Sequence, residues 1–228
     1  MGGHLRHAFK TQWDWTLPLG RGQRFGANMH PILDGIFGGW SMNGVGRIQS
    51  SMVNFGNVRL VGMTKDDLQS MYKHDLRINP ANDLVTVYML PDDVILNTRR
   101  AFSVDPSSLT GYGALGVPEG RYIAPAEYEG CVELKLGGGD CAPRSVLVRA
   151  PWFTRFDMGV TKKFPLKGTT NFEVRLDVLN VFDNINFDPV ANPGSGAGIF
   201  QTTGFYDDPS NTYDPGGRLG QIMFRFNW

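Results

Sequence analysis

Large apolar residues occupy every second position at the end of this chain, and the series closes on the terminal tryptophan: Ile222, Phe224, Phe226 and Trp228. Polar residues take alternate positions: Gln221, Arg225 and Asn227. Successive side chains of a β-strand point to opposite faces. The pattern therefore predicts a strand with one apolar face and one polar face.

The same alternation recurs in four earlier segments: residues 5–17, 40–50, 153–164 and 171–182. Each segment has about the ten residues that a tilted membrane-crossing strand needs. Strands of this kind are typical of an outer-membrane β-barrel, whose apolar face meets lipid and whose aromatic rings lie at the water boundary. They also suit the edge of a soluble β-domain, so the alternation alone leaves both folds open.

Composition excludes other classes of protein. Lys and Arg number 22, as do Asp and Glu, and this balance argues against nucleic-acid binding, which needs a basic excess. A mean hydropathy of -0.23 suits a soluble protein, but barrels reach similar averages because lipid-facing and interior residues alternate. The start at Met1 shows no apolar signal segment, so we expect either a soluble protein or the final part of a longer exported chain.

The connections between the predicted strands alternate in length. Residues 165–169 form a tight turn and residues 18–38 the next shortest link, whereas residues 52–150 and 184–216 are long. Outer-membrane barrels have short periplasmic turns and long external loops. Counting back from the C-terminus places both shorter links on one side, which favours a barrel over a soluble sandwich and predicts that the C-terminus lies on the periplasmic side.

The predicted fold class is therefore all-β: an antiparallel transmembrane β-barrel segment of about five strands, with long external loops that carry short helices. Local signals fall within the connections. Pro31 begins a predicted helical turn, and Thr64 with Asp67 forms a predicted capping box. Residues 83–90 have strand character, and Pro91 precedes a second predicted helix.

Several short segments follow one another in a distinctive order: Leu17 to Gly22 with Arg24 to Gly26, Leu33 to Gly35 with Gly38 to Trp40, Leu90 to Val94 with Asn97, Thr98, Ala101 and Phe102, Thr110 to Gly113, Arg155 to Asp157, Phe172 to Arg175, Leu179 to Asn184 with Asn186 and Phe187, and Phe224 to Trp228. In this order and spacing, they resemble the C-terminal barrel portion of TonB-dependent outer-membrane receptors. The similarity is to the Oar-like, carboxypeptidase-regulatory-like domain-containing group of acidobacterial type.

That resemblance implies a complete protein with an N-terminal regulatory-like domain, a plug and a barrel of about 22 strands. Residues 1–228 would supply only the closing strands, with residues 52–150 as a long external loop insertion and neither plug nor signal peptide. The implied partners are the remaining barrel and plug, outer-membrane lipid, the barrel-assembly machinery acting on the Trp228 end, and the TonB system. The implied location is the outer membrane of a Gram-negative cell.

Three groups of residues are candidates for specific roles. Cys131 and Cys141 flank a Gly-rich stretch and are candidates for a disulfide, with two free thiols as the alternative. Charged residues on the polar faces form a mixed-sign ladder that either neutralises itself across the hairpin or contacts a plug: Arg155, Asp157, Glu173, Arg175 and Asp177. Aromatic residues near the predicted periplasmic ends form a candidate girdle: Trp13, Trp15, Phe164, Phe226 and Trp228.

No residue pattern predicts an enzyme, a cofactor or a metal. The histidines are scattered, and the acidic residues around Asp207 lack the spacing of an EF-hand calcium loop. The alternative function is a soluble β-sandwich module that binds carbohydrate through Trp and Tyr.

Overall fold

The computed structural model describes residues 6–79, 83–128, 130–134, 138–139, 145–166, 168–204 and 216–228. The helices are α1 (Pro31–Phe37), α2 (Lys65–Met71) and α3 (Asp92–Phe102). The strands are β1 (Ala8–Thr16), β2 (Trp40–Gly56), β3 (Val58–Val61), β4 (Asp75–Asn79), β5 (Leu84–Tyr88), β6 (Tyr122–Pro125), β7 (Glu133–Leu134), β8 (Gly138–Gly139), β9 (Ser145–Pro165), β10 (Asn171–Leu179), β11 (Gln201–Thr202) and β12 (Leu219–Asn227).

The five predicted strands form one sheet in the order β1-β2-β9-β10-β12. The pairings of β1 with β2, of β9 with β10 and of β10 with β12 are antiparallel. Across the remaining pair, the Lys163 amide donates to the Gly39 carbonyl at 2.9 Å, while Gly46 lies beside Phe156, so the two strands run in opposite directions. Among the described residues β1 and β12 remain at the edges, and the sheet is open. The predicted antiparallel all-β class is confirmed.

Strand lengths differ from the predicted segments. β2 continues to Gly56 and β9 begins at Ser145, so both strands extend into the predicted long connection. In these extensions buried apolar residues alternate with exposed ones only over short stretches: Val53 and Phe55 flank the exposed Asn54, and Val148 and Ala150 flank the exposed Arg149. The alternation of apolar and polar residues in the sequence therefore predicted the positions of β2 and β9 but underestimated their length.

β10 is shorter than predicted because a buried asparagine ends it. Asn180 has a φ of 51°, in the left-handed region, which Asn tolerates better than most residues. Its side-chain amide donates to the Asn184 carbonyl at 3.0 Å and to the Gly216 carbonyl at 2.9 Å. These bonds fold the chain away from the strand direction after Leu179.

The sheet has two chemically distinct faces. The apolar face consists of Phe9, Thr11, Trp13, Trp15, Trp40, Met42, Gly44, Gly46, Ile48, Phe156, Met158, Val160, Lys162, Phe164, Phe172, Val174, Leu176, Val178, Gly220, Ile222, Phe224 and Phe226. The polar face carries Lys10, Gln12, Asp14, Ser41, Asn43, Arg47, Gln49, Arg155, Asp157, Thr161, Lys163, Asn171, Glu173, Arg175, Asp177, Gln221, Arg225 and Asn227, together with Val45 and Met223. The alternation read from the sequence is therefore preserved across all five strands.

Two glycines on the apolar face lie under neighbouring aromatic rings. A Cβ at Gly44 would lie 2.2 Å from Cζ2 of Trp13, and a Cβ at Gly46 would lie 2.4 Å from Cε1 of Phe156. Aromatic rings that cover glycines in an adjacent strand replace the missing side-chain packing. The apolar surface missing at Gly44 and Gly46 is therefore supplied by Trp13 of β1 and Phe156 of β9.

The chain divides into two compact units, which we call the sheet unit (His7–Gln49, Phe153–Asn186 and Tyr206–Trp228) and the core unit (Met1–Arg6, Ser50–Trp152 and Phe187–Phe205). The core unit has its own hydrophobic interior. Phe55 is fully buried there, with its ring centroid 6.0 Å from that of Tyr72 and 5.8 Å from that of Phe200. The long predicted connection therefore contains packed structure.

Short-range signals in that connection are confirmed. Thr64 caps α2: its hydroxyl accepts from the Asp67 amide at 3.2 Å, while the Asp67 carboxylate accepts from the Thr64 amide at 2.8 Å. Pro91 precedes α3, and β5 falls within residues 83–90. None of the helices in the described ranges has the length and apolar character needed to cross a membrane.

Candidate membrane-facing and polar surfaces of the sheet

Large side chains of the apolar face are exposed. Ile222 is 64% exposed, Phe224 67% and Phe9 60%. In a soluble β-sandwich, a second sheet packs about 10 Å away and buries such a face. A contiguous exposed apolar surface instead marks contact with another protein or with a membrane. The arrangement fits the outward apolar band of a barrel and does not favour the soluble sandwich.

Aromatic residues gather at one end of the apolar face. The register places Phe172 opposite both Phe164 and Phe226, so the ends of β9 and β12 meet the beginning of β10. Trp15 pairs with Met42, close to the beginning of β2. All five candidate girdle residues thus belong to the same end of the sheet, and their role at a membrane boundary stays a prediction.

Two further aromatic residues belong to this end. These residues are Trp40, which begins β2, and Phe172 of β10. The Phe172 ring stacks on Phe224, with centroids 6.2 Å apart and an interplanar angle of 9°. Trp40 and Phe172 were not included in the predicted girdle. The alternation placed both on the apolar face, but their proximity to the other rings depends on the reversal of direction between neighbouring strands.

Lys162 is the charged residue of the apolar face, and it is almost buried, at 4% exposure. Its ammonium lies 5.5 Å from the Trp40 ring centroid and 5.1 Å from that of Phe164, distances typical of cation–π contacts. The same ammonium donates to the Gly38 carbonyl. A lysine near the end of a membrane strand commonly extends its charge toward the polar boundary. Here the charge of Lys162 is stabilised by the Gly38 carbonyl and by the two aromatic rings.

Charges on the polar face pair along the strands as well as across them. Arg155 Nε lies 3.0 Å from Asp157 Oδ1, and Arg175 Nε lies 2.8 Å from Asp177 Oδ1. Both pairs join residues two positions apart on one strand. These pairs form along each strand because i and i+2 side chains share a face and the long arginine spans the gap. Neutralisation of these four residues across the hairpin stays a prediction.

Cross-strand pairing occurs at Glu173. Its carboxylate lies 3.8 Å from Lys163 Nζ on β9 and 3.9 Å from Arg225 Nη1 on β12. Both cations are its register partners. Glu173 is nearly buried between them, so it links three strands through one acidic group.

Asp157 has a second role at the end of β10. Its Oδ1 accepts from the Asn180 backbone amide at 2.7 Å, in addition to its contact with Arg155. The carboxylate thus connects the charge ladder to the asparagine that ends the strand. This contact depends on the turn geometry after β10, and periodicity carried no signal for it.

Only one of the two candidate disulfide cysteines lies within the described residues. Cys131 is described, whereas Cys141 lies outside the described residues. Their pairing stays a prediction.

The described histidines have local structural contacts. His30 caps α1 by accepting the Ile32 amide at Nδ1, at 3.3 Å. The ring of His74 packs edge-on against Phe187 with centroids 5.6 Å apart, and burial lowers its pKa. Within the described ranges, no three His, Cys, Asp or Glu residues converge to hold a metal ion, and Asp207 lies outside these ranges.

In the core unit, two arginines bind the acidic first turn of α3. Arg121 Nε lies 2.7 Å from Asp93 Oδ2, and this hydrogen bond lowers the pKa of the Asp93 carboxyl. Arg77 lies 2.6 Å from Asp92 and 2.7 Å from Asp75, and hydrogen bonds to both raise its pKa. Acidic residues also suit this position because the N-terminal end of a helix carries partial positive charge.

The sequence matches the family model described as an outer membrane beta barrel domain over residues 2–212. No curated protein and no solved structure matches the chain. The matched range includes four of the five strands of the sheet, and β12 extends the same antiparallel pattern beyond it. An exposed apolar face opposite a charged face is the surface organisation that an outer-membrane barrel needs. The chain therefore belongs to the outer membrane beta barrel domain family and is an outer-membrane protein.

Proposed function

We propose that the chain supplies the closing strands of a TonB-dependent outer-membrane transporter, with its apolar face against lipid and its polar face toward the barrel interior. The observation that carries this proposal is the inverted exposure of the sheet. Large apolar residues are exposed on one face, whereas the charges of Arg155, Glu173 and Asp177 are nearly buried on the other. The resemblance of the ordered segments to TonB-dependent receptors supports the transporter assignment within the barrel family.

The open edges of the sheet support a partnership with further strands. β1 and β12 present unpaired backbone groups along their outer edges in the described structure. A bilayer does not tolerate such groups, and barrels close with at least about eight strands. The proposed partners are the remaining strands and plug of the same transporter, with the barrel-assembly machinery acting on the strand that ends at Trp228.

Strand connectivity supports the proposed orientation. The link between β1 and β2 and the turn between β9 and β10 both leave the end of the sheet where β12 finishes. The turn is tight: the Leu166 amide donates to the Thr170 carbonyl at 2.9 Å, and Gly168 has a φ of 68°. Short links are periplasmic in outer-membrane barrels, so we assign this end to the periplasm and the long connections to the cell exterior. Those connections would contact the transported substrate, and we assign no catalytic role.

The test uses the natural full-length protein in its own cell envelope. Membrane fractionation, combined with a gel that compares heated and unheated samples, reports whether a folded barrel is present. We expect the protein in the outer-membrane fraction with a heat-dependent change in mobility. Recovery wholly in the soluble fraction would refute the membrane assignment.

A second measurement tests the transporter assignment separately. The full-length protein is isolated from cells with and without a functional TonB system after gentle crosslinking. A crosslink to TonB in the first cells is expected, and a folded outer-membrane barrel that gives none, even under conditions that induce its expression, would refute the TonB-dependent role while retaining the barrel.

A further inference from the structure

The α1 helix has its apolar side turned away from the protein. Its four large hydrophobic residues, Ile32, Leu33, Ile36 and Phe37, are between 47% and 70% exposed. At 3.6 residues per turn, these positions fall within an arc of about 140° on one side of the helix. A soluble amphipathic helix would direct such a stripe into the core, so this stripe requires an apolar environment outside the described chain.

The opposite side of α1 is bound to the preceding turn through Asp34. The Asp34 carboxylate accepts from the Arg21 amide at 2.7 Å. Glycines leave room for this carboxylate: a Cβ at Gly20 would lie 2.6 Å from Oδ1, and one at Gly38 would lie 2.3 Å from it. The polar side of the helix is thereby fixed to the protein, which determines the outward direction of the apolar stripe.

The C-terminal end of α1 is joined to the apolar face of the sheet. The indole Nε1 of Trp40 donates to the Ile36 carbonyl at 2.8 Å, and the Lys162 ammonium donates to the Gly38 carbonyl. Both donors are residues of the apolar face. The exposed stripe of the helix is therefore continuous with the surface that the family assigns to lipid contact.

Charge around the helix suits a phospholipid boundary. Arg21 and Arg24 are exposed in the same link, and Asp34, which faces the protein, is the one acidic residue between positions 17 and 39. Interfacial helices combine an apolar stripe with neighbouring basic residues that attract anionic headgroups. The short length of α1 is sufficient here because two side chains of the sheet hold its last turn.

We propose that α1 is an interfacial anchor that inserts Ile32, Leu33, Ile36 and Phe37 into the headgroup and acyl boundary of the phospholipid leaflet at the aromatic end of the sheet. The choice of the periplasmic leaflet rests on the proposed orientation; lipid contact itself rests on the family and the geometry. The anchor would fix the depth of the barrel in the membrane and keep the β1–β2 link against the bilayer surface.

The experiment places an environment-sensitive fluorophore on single cysteines of the full-length protein folded into phosphatidylcholine–phosphatidylglycerol vesicles. The test positions are Ile36→Cys and, as a second reading, Leu33→Cys. Ile222→Cys, in the middle of β12 on the apolar face, is the deep-lipid control, and Leu109→Cys, fully exposed in the core unit, is the water control. Nitroxide lipids labelled at the headgroup or deep in the acyl chain report depth, and heat-dependent gel mobility verifies folding of each variant.

Both α1 labels are expected to emit at shorter wavelength than the Leu109 label and to be quenched more strongly by headgroup nitroxide than by deep nitroxide. The Ile222 label should show the opposite preference. Water-like emission at both α1 positions, with Ile222 still quenched from the deep position, would overturn the anchor and leave the barrel intact. Protection of α1 from nitroxide lipids and from aqueous iodide alike would also overturn it, because a protein segment would then cover the helix. Loss of lipid quenching at Ile222 would instead refute the lipid-facing assignment of the sheet.

Discussion

Adjacent substitutions on β12 distinguish a lipid-facing sheet from one exposed to water. Ile222 lies near the middle of the strand on the apolar face, opposite Leu176, which itself pairs with Val160. Gln221 is its neighbour on the polar face and pairs with Asp177. The two positions share a strand and a depth, but their side chains enter different environments.

Ile222→Arg is expected to destabilise the folded barrel by about 2–4 kcal/mol, the range for arginine on the lipid face near the bilayer midplane. This corresponds to a fall in the folding equilibrium constant of roughly 30-fold to several hundred-fold. If the same exposed position met water, the change would stay within about 0.5 kcal/mol. The magnitude therefore separates the two environments without a structure of the variant.

Gln221→Arg is the matched control, because its guanidinium can pair with Asp177 on the adjacent strand. We expect a change of less than about 1 kcal/mol in either direction, because position 221 is exposed and the new guanidinium stays in contact with water while it pairs with the nearly buried Asp177. The assay is reversible denaturant titration of the full-length protein in lipid vesicles, followed by tryptophan fluorescence and heat-dependent mobility. Equal destabilisation by the two variants, or a small effect of both, would refute the assignment of the apolar face to lipid.

Three further predictions concern a helix cap, a close approach and the polar face. Thr64→Ala is expected to weaken the start of α2 by about 1 kcal/mol, seen as roughly fivefold faster amide exchange in its first turn. Hydrogen bonds from Thr64 hold the pKa of Asp67 below its ordinary value, so the stability contributed by this carboxylate is present at neutral pH and is lost as the pH falls through that lowered pKa. Gly44→Val is expected to displace the Trp13 ring, since the new Cβ would lie 2.2 Å from it, and to lower the yield of folded barrel in vesicles. If the polar face contacts a plug, Arg175→Ala in the full-length transporter should impair uptake without lowering barrel abundance.

Controls make each of these outcomes interpretable. Thr64→Ser retains the capping hydroxyl and should leave exchange unchanged; equal acceleration in the serine and alanine variants would contradict the capping explanation. Gly220→Val introduces the same side chain on the apolar face where no atom lies within 4 Å, so it should fold normally. Unchanged uptake in Arg175→Ala would contradict the plug contact and leave the residue with its pairing to Asp177.

The packed core unit changes the physical description of the long connection. Phe55, Leu68 and Met89 are buried with almost no solvent exposure, and Thr98 accepts the Ile123 amide at 3.0 Å within the same interior. A structureless loop would lack such long-range contacts and would vary in conformation. The proposed substrate contacts would consequently lie on a preorganised surface, which lowers the entropy lost on binding.

Periodicity by itself determined which residues share a face of the sheet. A strand repeats every two residues, so the side of Phe224 or Glu173 follows from its position in the sequence alone. Local hydrogen bonding likewise made the Thr64 cap readable, because both partners lie within one helical turn. The family-level assignment to an outer-membrane barrel followed from these patterns and is confirmed.

Only the tertiary structure decided how those faces are completed and which groups meet across distant segments. Lys162 reads as a break in an apolar series, but folding brings it to the ring of Trp40 and to the carbonyl of Gly38, the residue after α1, both more than a hundred residues away. The outward direction of α1 also depends on Asp34 meeting Arg21 across the link. Such contacts join residues without periodic relation in sequence, and their geometry arises only when the strands reverse and align.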